Sequence, residues 1–304
     1  MRIAFSWGYF VTKSGWLYKD DGMQYCIREF TKKYDTQVVV LSNVNEQCYC
    51  NGINWTFCNT REKVISTLLN GKFDLIHTLG DIHVDSRLLD NKKFKFVHYL
   101  PGDTSLNSVY SKCDMIFVSQ AIQQQRISKD LNHKKVLILP HAPNEDKFVP
   151  RSEEKTYDVF YPTREHPAKR IALLEEACKY AGLSYLITRS SLDRPIYTYD
   201  QLASLYQKSK CVCSTSKIEG GSLIILEAMM CNVPVVVCSD CTSNVEFVKR
   251  FGGIISKPSV KSLAKNLKNA ICSNVNTRKN LIDNGITYKG MFLNMHKHFL
   301  DLIQ

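Results

Sequence analysis

The chain has 304 residues, 44% of them hydrophobic and 11% aromatic, which excludes a disordered polymer and supplies apolar surface for about two domains of ordinary size. Forty basic against 29 acidic side chains give a net charge of +11, divided as 19 − 15 = +4 over residues 1–150 and 21 − 14 = +7 over residues 151–304; no five like charges run together, and the spread-out excess fits an anionic ligand, an acidic membrane surface or nucleic acid as well as it fits a merely basic soluble protein. Twelve cysteines fall mostly inside apolar segments, Met1–Phe5 runs directly into strand-like sequence, and no apolar run approaches the ~18 residues of a membrane span, so reduced thiols in a cytoplasmic setting are expected.

In chain order, Arg2–Trp7 is strand-like, and Gly22–Tyr34 places Met23, Ile27 and Phe30 on one helical face. Thr36–Leu41, Phe73–Leu79, Phe94–Leu100, Asp114–Ser119 and Lys135–Pro140 follow as short, nearly continuous runs of Val, Ile, Leu and Phe, which suit parallel strands covered on both faces. His141–Thr156 is polar, broken by prolines and without a period, and marks a boundary. The alternation then restarts with strands at Tyr157–Pro162, Leu183–Thr188, Cys211–Ser216 and Pro234–Ser239 and a helix over Ala168–Gly182. Thr198 and Gln201 have capping-box spacing at the head of a further helix, and Gly285–Ile303 reads as a last one. Strand and helix alternate twice over, which predicts an α/β chain with two doubly wound parallel sheets, whose ligands sit outside the carboxyl ends of the strands. The cysteine pairs Cys48/Cys50 and Cys238/Cys241 lack a second matched pair of ligands, so no metal site is expected.

The stretch SKIEGGSLIILEAMMCNVPVVV, Ser216–Val237, carries the chemistry. It leaves a strand, turns at Gly220-Gly221 and enters a helix near Gly221 or Ser222, whose free N–H groups favour an anion. Leu223, Leu226 and Met230 share the helical face expected to pack on the sheet, Asn232 suits a left-handed cap, and Pro234 prevents continuation. Two carboxylates, Glu219 and Glu227, bracket this anion site. Carboxylates repel phosphate but accept hydrogen bonds from sugar hydroxyls, so the constellation predicts a nucleotide-sugar site; the alternative is a solvated loop glutamate and a glutamate favoured by the helix dipole.

The E-x7-E spacing of Glu219 and Glu227, within EGGSLIILEAMMCNVPVVV, resembles the signature of the retaining GT-B glycosyltransferases, in particular family 4. The resemblance runs over most of the chain. Leu139–Phe148 is similar to the family's interdomain segment, Tyr161–Arg170 to the strand end that carries an Arg and a Lys five apart, and Cys113–Ile122 to the strand and serine near the end of the first domain. It implies a GT-B fold of two Rossmann-like domains facing across a cleft: residues 1–148 on the acceptor side, 149–156 a linker, 157–285 the donor domain, and 286–304 a helix packing back on the first domain. By resemblance, Arg164 and Lys169 neutralise the leaving diphosphate, Glu219 contacts the donor sugar and takes part in catalysis, and Glu227 holds the ribose. Gly220, Gly221, Ser222 and Leu223 then line the diphosphate and sugar. His98, in FVHYLPGD, matches a histidine near the reacting carbon, with Asp103 and His141 as further candidates. Gly15 and Gly22, in the loop after the first strand, stand on the acceptor side. Asp21-Gly22 in place of paired glycines, and Ser222 in place of a further glycine, depart from the family pattern and bear on the donor sugar more than on the fold.

The implied reaction moves a sugar, with retention, from a UDP- or GDP-type nucleotide sugar to a hydroxyl on a glycan, a glycolipid or a hydroxylated DNA base. The donor is a substrate and no cofactor is implied. No D-x-D occurs, which fits a metal-independent reaction. A nucleotide-sugar epimerase or hydrolase on the same scaffold, or a non-catalytic nucleotide-sugar binding protein, are the competing assignments. Eight basic and two acidic side chains in residues 255–304 point either to a solvated helix face or to an anionic surface, so association with a membrane surface or with DNA stays open beside the cytoplasmic expectation.

Overall fold

Runs of valine, isoleucine and phenylalanine build two parallel sheets in the computed structural model, which describes residues 1–7, 22–79, 85–91, 93–100, 108–131, 135–189 and 197–304. The chain divides into two units, Met1–Pro140 with Tyr288–Gln304, and His141–Thr287.

In the first unit the elements run β1 (Arg2–Trp7), α1 (Gly22–Thr31), β2 (Asp35–Leu41), β3 (Glu46–Cys50), β4 (Ile53–Cys58), α2 (Arg61–Asn70), β5 (Leu75–Leu79), α3 (Ser86–Leu89), β6 (Lys95–Leu100), β7 (Met115–Val118), α4 (Ala121–Asp130) and β8 (Val136–Ile138), with α11 (Tyr288–Ile303) returning at the end of the chain. The sheet order is β3-β4-β2-β1-β5-β6-β7-β8, parallel except for β3. Alternate strand residues face opposite layers. Ala4, Val39, Ile76 and Ile116 pack under α2 and α3, while Phe5, His77 and Phe117 meet Phe299 of α11. The antiparallel hairpin β3–β4 adds to the strands expected from sequence. Its turn is Asn51-Gly52, both at positive φ (52° and 77°), the pair that a two-residue hairpin requires. The Cys48–Cys50 stretch is therefore an edge strand, with Tyr49 exposed.

The second unit runs β9 (Tyr157–Tyr161), α5 (Ile171–Ala181), β10 (Tyr185–Ile187), α6 (Tyr199–Gln207), β11 (Ser209–Ser214), α7 (Leu223–Met230), β12 (Val235–Cys238), α8 (Thr242–Phe251), β13 (Ile254–Ser256), α9 (Val260–Ile271) and α10 (Thr277–Asp283). All five strands are parallel, in the order β10-β9-β11-β12-β13. Phe160, Val212, Val235 and Val237 pack with α6, α7, α8 and α10; Val159, Tyr161, Cys211, Cys213 and Val236 pack with α5 and α9 on the other face. The chain goes from β9 outward to β10 and then back to β11 on the opposite side of β9. Strand order thus reverses beside β9, and the loops leaving β9 and β11 stand next to each other at their carboxyl ends. Two boundaries follow local chemistry as expected. Thr198 and Gln201 form a reciprocal capping box at the head of α6, and Asn232 adopts φ 55° after α7.

Candidate functional site

The loop after β9 holds Arg164 and Lys169. A continuous helix was expected from Ala168. Instead a 3-10 turn, Pro167–Lys169, precedes α5, and Arg170 separates the two at φ 48°. An arginine in the left-handed region carries strain that its side chain offsets. Its guanidinium donates to both Asp240 carboxylate oxygens at 2.7 and 2.8 Å, and to the carbonyls of Thr215 and Ser216 at 2.6 and 3.2 Å. Two further bonds run between the same loops: the Thr215 hydroxyl donates to the Lys169 carbonyl at 2.7 Å, and the Lys217 N–H to the Ala168 carbonyl at 2.8 Å. The loops after β9, β11 and β12 are thus bound together below the residues that face outward.

Above them lies a cavity of about 430 Å³ within the second unit. Arg164, Lys169, Glu219, Gly221, Ser222, Leu223 and Glu227 all line it, with Thr163, Thr188, Tyr197 and Leu202 on the remaining walls. Gly221, at φ 132°, lets the main chain pass close beneath the opening. Ser222 caps α7 without a side-chain bond of its own, and the first turn of α7 lies in the wall, so free N–H groups and the positive end of the helix dipole meet the cavity. Arg164 is half-buried and, among the described residues, has no ion-pair partner. The Lys169 ammonium is paired with the Glu219 carboxylate, both side chains being about 15% exposed (14% and 15%). Glu227 is 5% exposed and accepts a hydrogen bond from the Tyr206 hydroxyl at 2.6 Å. Burial pushes the Glu227 carboxyl up to about 7, with the Tyr206 bond opposing the rise; burial also drives the Tyr206 hydroxyl far above its ordinary range. The arrangement offers two cations and a helix N-terminus to a diphosphate, and two carboxylates to hydroxyl groups.

Leu223 was expected on the packing face. It is half-buried in the cavity wall, while Leu226 and Met230 fill the core as expected, joined by Ile225, Ala228 and Met229, because α7 is apolar nearly all round and has no single packing stripe. Gly220 lies in the same loop, between the lining residues Glu219 and Gly221. His98 sits elsewhere, in β6 of the first unit, with no exposure; its Nδ1 is 2.7 Å from the Thr78 hydroxyl and its ring stacks on Tyr110 at 4.9 Å. Burial pushes its imidazole down to about 3, the state of a neutral core histidine. Gly22 opens α1, where a Cβ would come within 3.0 Å of the Tyr288 ring, so close packing against α11 accounts for the glycine. Gly15 and Asp103 lie outside the described residues, and His141 begins the second unit, half-buried. Cys238 and Cys241 are buried, and among the described residues no three His, Cys, Asp or Glu side chains gather as metal ligands would. Among those residues, too, no helix is long and apolar enough to cross a membrane.

Arg170, Tyr206, Thr188 and Tyr197 were missed in the sequence. Tyr199, Leu202 and Tyr206 have the spacing of a packing face, and nothing local signals that the Tyr206 hydroxyl meets a carboxylate on another helix.

The profile of the family described as glycosyl transferases group 1 matches residues 195–288, a segment that includes Glu219 and Glu227. This corrects the assignment to family 4: the matching family is group 1. No curated protein matches the sequence. Among solved structures, sucrose-phosphate synthase from Thermosynechococcus elongatus superposes with a TM-score of 0.75 at 14% identity, covering 99% of each chain. A glycosyltransferase from Rickettsia africae gives 0.72 at 12% identity, covering 100% of this chain and 99% of the other. HepE from Anabaena, in complex with UDP and glucose, gives 0.71 at 11% identity, covering 99% and 100%. At these identities the likeness establishes the fold: the chain has the GT-B fold of two Rossmann-like α/β domains.

Proposed function

We propose that the chain is a glycosyltransferase that takes a nucleotide-diphosphate sugar in the cavity of its second unit and transfers the sugar to a hydroxyl acceptor. The observation that carries this is the gathering of Arg164, Lys169, Glu219, Glu227 and the N-terminus of α7 around one cavity. Arg164, Lys169 and the helix N–H groups hold the diphosphate, Glu227 accepts from the ribose hydroxyls, and Glu219 accepts from the sugar. UDP in the HepE structure makes UDP the first nucleotide to test, with GDP second.

The anomeric carbon–oxygen bond to the diphosphate breaks through an oxocarbenium-like transition state, and the diphosphate keeps the electron pair. The acceptor oxygen attacks from the face the diphosphate leaves, so configuration is retained, and the acceptor proton passes to a diphosphate oxygen. Charge stabilisation by Arg164 and Lys169, together with positioning, supplies the catalysis. No divalent ion takes part. His98, packed in the core of the first unit, is given no role in the chemistry. Exposed lysines at 257, 261, 265 and 268, at and along α9, offer an anionic acceptor or surface a place to rest.

The test incubates the protein with UDP- and GDP-sugars and panels of glycans, glycolipids and hydroxymethylated DNA, with EDTA present, and follows the acceptor by mass spectrometry and the anomeric configuration by NMR. The expected result is an acceptor heavier by one sugar with retained configuration. Glu219→Ala is expected to lose turnover while still binding nucleotide. Donor consumption without an acceptor would point instead to a hydrolase, and binding without turnover to a sensor.

A further inference from the structure

We infer that the Lys169–Glu219 ion pair selects against a bare nucleoside diphosphate, so that the cavity favours a diphosphate that still carries its sugar; this rests on the nucleotide-sugar assignment above. The pair closes between two loops, one leaving β9 and one leaving β11, and both side chains are largely withdrawn from water, at 14% and 15% exposure. The main chains beneath cannot drift apart easily, because the Arg170 fork, the Thr215 hydroxyl and the Lys217 N–H tie them together. Breaking the contact is therefore a matter of side-chain rotation.

A phosphate that enters has two cations available to it. Arg164 has no ion-pair partner among the described residues, so its engagement displaces nothing. Lys169 must first leave Glu219. A bare diphosphate then strands a carboxylate in a half-dry wall, close to the phosphates' own negative charge, and gives it nothing to accept. A sugar on the diphosphate brings hydroxyl donors to that carboxylate and restores what it lost. Glu227 plays no part in this competition, since its partner is the neutral Tyr206. The same contact acts on the product: once the sugar has left, Glu219 reclaims Lys169 and weakens the hold on the nucleoside diphosphate.

Isothermal titration of UDP, GDP and ADP, and of UDP-glucose, GDP-mannose and ADP-glucose, into the wild type, Glu219→Gln, Lys169→Met and the double variant tests this. Glu219→Gln is expected to tighten binding of the bare diphosphate by about tenfold, the order expected when one competing charge is removed from a partly buried site, and to erase any preference for the sugar-bearing form. Lys169→Met is expected to weaken both forms, and in its background Glu219→Gln should no longer tighten the diphosphate. An unchanged or weaker affinity of Glu219→Gln for the bare diphosphate overturns the inference. So does tightening that persists without Lys169, which would show plain repulsion rather than competition for the lysine. If the wild type binds none of the six compounds, the nucleotide-sugar assignment falls and takes this inference with it; wild-type binding without the expected tightening removes the inference alone.

Discussion

Glu227 is a carboxyl held nearly out of water, with a phenol hydroxyl as its partner. Its ordinary value of 4.5 rises to about 7 in the folded chain, so between those values the folded form binds the proton and the unfolded form does not. The stability contributed by this group is fully present below about pH 4.5 and is lost as pH climbs through about 7, a change of about 3 kcal/mol. Denaturant titrations at pH 5 and pH 8 are expected to show this component in the wild type and to lack it in Glu227→Gln. Tyr206→Phe removes the donor and leaves the buried carboxyl unsatisfied, at a cost of about 1–3 kcal/mol at pH 8, read as a lower denaturation midpoint. The sequence carried Glu219 and Glu227 plainly, because their spacing across a glycine turn and a helix start is a local signal. Tyr206 was not legible, since its meeting with Glu227 depends on how α6 and α7 pack. For His98 the local pattern is ambiguous: a histidine in an apolar strand reads the same whether its ring faces a ligand or, as in β6, stacks on the Tyr110 ring.

Elements were legible where their ends carry chemistry of their own. The Thr198–Gln201 capping box predicted the start of α6, and Asn232 with Pro234 predicted the stop of α7. Thr198→Ala is expected to lower stability by about 1 kcal/mol, measured as a shift of the thermal midpoint, because one N–H of the first turn loses its acceptor. The helix expected from Ala168 failed at Arg170, whose left-handed conformation depends on Asp240, 70 residues away. Arg170→Lys keeps the charge and loses the planar fork, and is expected to lower the thermal midpoint and weaken nucleotide binding together. A loss of stability with nucleotide affinity untouched would limit Arg170 to packing. The β3–β4 hairpin carries its turn signal in Asn51-Gly52, but its strands lack the continuous Val, Ile, Leu and Phe runs that mark the parallel core strands.

At the scale of the molecule, alternating apolar runs and helices were enough to predict doubly wound parallel sheets, and the GT-B likeness at 11–14% identity shows how little sequence that architecture needs. Chain reversal beside β9 places two loops at one sheet edge, and those loops hold Arg164, Lys169 and Glu219. In the first unit, α11 seals the sheet with aromatic side chains: Phe299 stacks on Phe30 at 5.2 Å and lies 6.3 Å from Phe5. The central claim is that the cavity of the second unit holds a nucleoside diphosphate and its sugar, and a thermal-shift series with UDP, GDP, ADP and their sugar conjugates tests it most directly. At about 100 times its dissociation constant a true ligand stabilises the chain by ~2.7 kcal/mol, so the account predicts a clear rise in midpoint with at least one nucleotide pair, reduced in Arg164→Ala. No rise with any member of the series, or a rise that Arg164→Ala leaves intact, would contradict it.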